Sequence, residues 1–161
     1  MERWAGAVPE AWTVIAPEGT VPYSETQRAW PRDDPAGVVI AQLDGLDTPP
    51  PVVLAGYSQG AGVAAFMAWD GLLDAVGLIL VAPPIIRSRV WDPQVDRPVP
   101  TYMVVGEHDH SLPDCIERQR LMEESEAPVH LDQRPGLGHQ LPDDLAETIA
   151  AALDWITKHQ S

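Results

Sequence analysis

Cysteine occurs once in the 161 residues, at Cys115. A single thiol closes no intramolecular disulfide, so the expected compartment is a reducing cytoplasm, and Cys115 itself reads as an inert, half-buried helix residue. Basic residues are scarce too: 10 Lys and Arg, with Lys158 the sole lysine, stand against 24 Asp and Glu for a net charge of -14. Phosphate backbones and anionic membranes repel such a surface, which argues against nucleic acid as a partner. The opening MERWAGAVPEAW lacks the apolar core of a signal peptide. The long uncharged run over residues 48–69 begins with three prolines and contains GYSQGAG, so it reads as a buried strand followed by a buried helix and not as a membrane span.

What remains is one domain over residues 1–161, a size that buries a sizeable core. Short apolar runs alternate with helical patterns. Strands are expected at WTVIA (12–16), VVLAG (52–56), AVGLILVA (75–82), TYMVVG (101–106) and VHLDQ (129–133), and helices at about 34–43, 59–70, 113–125 and 143–158. Strands apolar on both alternations suit a mostly parallel sheet covered by helices on both faces, an α/β fold. In the last helix Pro142 and two acids begin the first turn, and Leu145, Ile149, Leu153 and Ile156 repeat at helical spacing, so that face packs inward. Seventeen prolines fall mainly between the periodic segments and mark loops.

The stretch GYSQG, Gly56 to Gly60, carries the chemistry. A strand that reverses sharply into a helix holds the residue at its apex in a strained conformation, thrusting the Ser58 hydroxyl above the sheet. The same turn aims the first helical N–H groups, that of Gln59 foremost, at charge developing beside Ser58. A serine needs a base and an orienting acid, and both are available downstream in the order Ser, Asp, His. Asp109 follows the strand TYMVVG, at the carboxyl end where open α/β sheets build their sites. His139 lies in the glycine-rich loop RPGLGHQLP. Glu107 and Asp114 compete with Asp109 for the acid role. His108 and His110 invite a zinc reading, but alternate residues with no distant third ligand make it weak, so no metal or organic cofactor is expected. Trp30, Tyr57 and Trp91 are aromatic candidates for a pocket wall, with packing the commoner role.

Taken together, VVLAGYSQGAG, GEHDHSLP and RPGLGHQLPDDL…ALDWI resemble the phospholipase/carboxylesterase group of small α/β-hydrolases, which includes acyl-protein thioesterases and bacterial carboxylesterases. The likeness extends over nearly the whole chain, with WTVIAPEGTVPYSETQRAW similar to that group's strand and proline-rich loop leading to a tryptophan, here Trp30. The resemblance implies Ser58 as nucleophile, Asp109 as orienting acid, His139 as base, and a small-molecule ester or thioester as substrate. It also exposes a departure. Family members begin with a strand ending in a His-Gly loop that supplies a second oxyanion donor, and no such strand or dipeptide precedes WTVIAP. The expectation is an N-terminally truncated or mis-started chain, with a natural minimal variant or a strand-donating homodimer as alternatives. Loss of that central strand would leave its two neighbours with unpaired backbone groups or oblige them to pair with each other. A catalytically silent binding or assembly domain is therefore the rival reading. Lactone hydrolysis ranks last, because dienelactone hydrolases use cysteine where this elbow has serine.

Overall fold

The computed structural model describes residues 2–25, 27–46, 50–84 and 97–160. Four parallel strands form the sheet in the order β3 (Val53–Tyr57), β4 (Gly77–Val81), β5 (Thr101–Gly106), β6 (Val129–Arg134). A separate antiparallel ribbon pairs β1 (Val21–Pro22) with β2 (Arg28–Ala29). The helices are α1 (Glu2–Ala5), α2 (Pro35–Leu43), α3 (Gln59–Trp69), α4 (Leu112–Glu124) and α5 (Leu145–Lys158).

Every residue of β4 and β5 is buried, which explains their unbroken apolar sequence. Side chains alternate across the sheet, so Leu78, Leu80 and Met103 join one cluster with Ala61, Ala65 and Trp69 of α3 and Met122 of α4. Ile79, Val81, Tyr102 and Val104 join the opposite cluster with Leu145, Ile149, Leu153 and Ile156 of α5, the four residues whose spacing marks the inward face. Gly77 lets α5 lie close, since a Cβ there would sit 2.4 Å from Cγ2 of Ile156. The fold is α/β, with helices on both faces of a parallel sheet.

The expected strand at 12–16 does not form. Trp12 packs into the α5-side cluster, while Val14 and Ile15 are exposed and make no ladder. A β-branched run becomes a strand only when a neighbour takes up its backbone hydrogen bonds, and none of the described residues does so here. Among the described residues β3 likewise pairs only with β4, on one side. Ser58 N–H donates to Val81 O, and the alternation of a strand then turns the N–H and C=O groups of Val53, Ala55 and Tyr57 toward the free side. Among the described residues no helix is long and apolar enough to cross a membrane, and the uncharged run instead supplies β3 and α3.

Cys115 is buried more completely than expected, at 1% exposure, and burial pushes its thiol up to about 11. A thiol this protonated and enclosed is a poor nucleophile. Ellman's reagent is expected to leave Cys115 unmodified in the native protein and to titrate one thiol per chain after denaturation; rapid labelling of the folded chain would contradict the burial.

Candidate active site

The site is assembled at the carboxyl ends of β3, β5 and β6. Between β3 and α3, Ser58 has φ 50 and ψ −123, a positive φ on a residue with a side chain. Such strain typically costs about 1–3 kcal/mol and survives where the surroundings over-determine it. Here Ser58 N–H donates to Val81 O at 2.9 Å, and Ser58 O accepts from Ala61 N–H and Gly62 N–H at 2.9 and 3.2 Å. The helix turns back so tightly that a Cβ on Gly56 would lie 2.3 Å from Gly60 O. Gln59 and Gly60 open α3, so their amides have no acceptor within the helix and remain available beside the serine. The Gln59 side chain binds Trp30 in both directions, accepting from Trp30 N–H at 3.0 Å and donating to Trp30 O at 3.1 Å. That clamp seats Trp30 over the start of the helix, where its Nε1 lies 3.7 Å from a Cβ built on Gly60.

His139 comes from the loop joining β6 to α5. Arg134, at the end of β6, donates to Asp132 at 2.9 Å, to Asp144 at 2.8 Å and to the Thr148 hydroxyl at 2.8 Å, tying the loop's two ends together. Tyr57 O–H donates to His139 O at 2.9 Å. The loop also rests directly on Gly106, where a Cβ would meet Leu137 O at 2.2 Å. Gly106→Ala must therefore displace the loop that carries His139 by about 1 Å.

The two ring nitrogens of His139 face different partners. Nε2 is 2.9 Å from Ser58 Oγ, and Nδ1 is 2.9 Å from Asp109 Oδ2. An ionised carboxylate only accepts, so Nδ1 carries the proton and, in the neutral ring, Nε2 accepts from the serine hydroxyl. The Asp109 side chain has no exposed surface. Burial pushes its pKa up, but the Ser111 N–H and O–H donated to Oδ1, both at 2.8 Å, together with His139, more than offset this and hold it below the usual carboxylate range. Of its competitors, Glu107 accepts from Gly136 N–H at 2.9 Å, and Asp114 lies in the first turn of α4.

Three contacts of the site escaped the sequence reading. Ser111 binds Asp109 two residues upstream, a short Asx-type turn legible in the spacing D-x-S. The Tyr57 ring lies 5.6 Å from that of His139, and its O–H braces the histidine loop, a contact with no signature in sequence. His110 turns back to bring Nδ1 within 3.4 Å of Asp109 Oδ1. Of the aromatic candidates, Tyr57 and Trp30 border the site, and Trp91 lies outside the described residues.

No family model matches the chain, and no curated protein matches it. Solved structures do. An uncharacterized protein from Bacillus cereus ATCC 10987 is 19% identical over 97% of this chain and 54% of its own, with a TM-score of 0.78. Thermogutta terrifontis esterase 2, solved phosphorylated by paraoxon, is 20% identical over 66% of this chain and 53% of its own, with a TM-score of 0.53. An α/β serine hydrolase homologue from Coxiella burnetii is 20% identical over 84% of this chain and 64% of its own, with a TM-score of 0.54. The chain thus spans about half to two thirds of the length of these structures, and its fold is α/β-hydrolase-like.

Proposed function

We propose that the chain is a serine hydrolase of carboxylic esters or thioesters. The observation that carries this reading is the pair of 2.9 Å contacts that link Ser58 Oγ through His139 to Asp109. As Ser58 Oγ attacks the acyl carbon, Nε2 of His139 takes its proton, and Asp109 stabilises the imidazolium through Nδ1–H. The oxyanion receives the Gln59 N–H, with the positive end of α3 behind it. His139 returns the proton to the departing alkoxide or thiolate, leaving Ser58 acylated. Water then enters, gives a proton to Nε2, and attacks the ester to release the acid and the serine. A groove of about 450 Å³ opens beside Gln59, lined in part by Pro31, Arg32, Val63 and Phe66, and its apolar wall suits an acyl chain or leaving group.

A short p-nitrophenyl ester and a fluorophosphonate probe test the proposal together. Hydrolysis and one covalent label per chain are expected, both lost in Ser58→Ala; labelling undiminished in that variant would remove Ser58 as nucleophile. The family resembled takes a second oxyanion donor from a His-Gly loop, a dipeptide this sequence lacks. One such donor is typically worth about 3–4 kcal/mol, or roughly 100- to 1,000-fold in turnover.

The side of β3 that has no partner strand among the described residues favours a second reading, a silent binding or assembly domain, since an uncharged strand edge is a template for strand addition. That reading requires a folded chain without covalent labelling and a dimeric mass in solution; a labelled monomer excludes it.

A further inference from the structure

We propose that Asp109, His110 and His139 form a site for a divalent cation of the zinc class, and that an ion bound there switches His139 off. One donor atom from each of the three residues falls within 4.8 Å of the others. The carboxylate is the hub, with Oδ2 at 2.9 Å from His139 Nδ1 and Oδ1 at 3.4 Å from His110 Nδ1. The two imidazoles stand side by side, their centroids 4.8 Å apart. Zinc binds nitrogen and carboxylate oxygen at about 2.0–2.2 Å, so a tetrahedral ion spaces its donors roughly 3.2–3.6 Å apart. The 2.9 Å between His139 Nδ1 and Oδ2 has to open by a few tenths of an ångström, and His110 Nδ1, now 3.4 Å from the other oxygen, has to turn toward the shared one. His110, whose side chain is 66% exposed, is free to rotate to supply the rest, and solvent completes the fourth position.

The ligand set selects the ion. Two imidazoles and one carboxylate suit zinc and its late first-row neighbours, whereas magnesium and calcium prefer oxygen throughout. Alternation of His108 and His110 draws attention to this loop but supplies no third ligand. The tertiary fold brings one from 29 residues away by delivering His139, and it takes His110, not His108, into the group.

Inhibition follows from the tautomer. A metal needs the lone pair of an unprotonated ring nitrogen, and Nδ1 carries the proton while it donates to Asp109. With the ion on Nδ1, the single proton of the neutral ring resides on Nε2, the atom 2.9 Å from Ser58 Oγ. Nε2 then donates where it has to accept, and the serine loses its base. The ring's proton count is unchanged and nothing is oxidised or reduced. This regulatory consequence rests on the hydrolase reading, whereas the binding site does not.

Calorimetric titration of the metal-free full chain with zinc chloride tests the site. One tight ion per chain is expected, with affinity at least tenfold lower in His110→Gln and unaltered in His108→Gln; circular dichroism verifies that both exposed-residue variants are folded. Ester turnover with and without zinc is compared within each variant. Zinc is expected to inhibit the unmodified chain in step with occupancy, EDTA to restore it, and His110→Gln to require at least tenfold more zinc for half inhibition. Binding that is absent or independent of His110 overturns the proposal, as does full occupancy that leaves turnover unchanged. If zinc binds through His110 but the metal-free chain neither hydrolyses ester nor takes the fluorophosphonate label, the cation site stands and the hydrolase reading falls.

Discussion

Ser58→Ala and His139→Ala are each expected to lower kcat on a p-nitrophenyl ester by roughly 10⁴- to 10⁶-fold, and the double variant by scarcely more than either alone. In the proposed mechanism the hydroxyl, 2.9 Å from His139 Nε2, is a weak nucleophile until the ring accepts its proton, so the two groups would act as one unit. The lower end of the range applies if Gln59 is the sole oxyanion donor, because the intact chain then starts from a slower rate. Burst and steady-state kinetics on the four proteins provide the measurement. Losses that multiply in the double variant would mean that serine and histidine serve separate steps.

Asp109→Asn is expected to reduce kcat by roughly 10³- to 10⁴-fold with little change in fold. Ser111 determines why. Its N–H and O–H both donate to Oδ1, so the asparagine oxygen must stay on that side and the new amide must face His139. An amide N–H pointing at Nδ1 forces Nδ1 to accept, which moves the ring proton to Nε2, opposite the serine. A near-normal kcat in Asp109→Asn would show that the carboxylate does not set the tautomer. The same variant has a thermodynamic signature. Asp109 is held below the ordinary carboxylate range near pH 4 by the Ser111 bonds and His139, which outweigh its burial. Its ionisation therefore adds stability that is fully present above the unfolded pKa and is lost as pH falls through the lower folded value. Chemical denaturation of Asp109→Asn between pH 5 and pH 2, a window set about the ordinary carboxylate value, should show a shallower acid decline than the unmodified chain.

Local pattern made most of the scaffold readable. The five-residue β4 and six-residue β5 are apolar on both alternations because helices cover both faces, and α5 announces its inward face at Leu145, Ile149, Leu153 and Ile156. The elbow was legible as well, since the glycine two residues before Ser58 is a steric necessity: a side chain at Gly56 would strike Gly60 O. WTVIA illustrates the limit. Its residues favour a strand, yet strand formation is a property of pairs, and no described residue supplies the second member.

The amino-acid sequence by itself determined the strand and helix periods, the turn that exposes Ser58, and a short set of acids and histidines able to serve it, because sterics and hydrophobic spacing act between near neighbours. Tertiary structure alone decided which members of that set meet. Asp109 rather than Glu107 or Asp114 faces His139, Tyr57 braces the loop, and His110 lies against the acid, since these contacts depend on where Gly106 and Arg134 seat a loop that begins far along the chain. Spacing along a polymer constrains such meetings only weakly; packing of the finished fold specifies them to a fraction of an ångström.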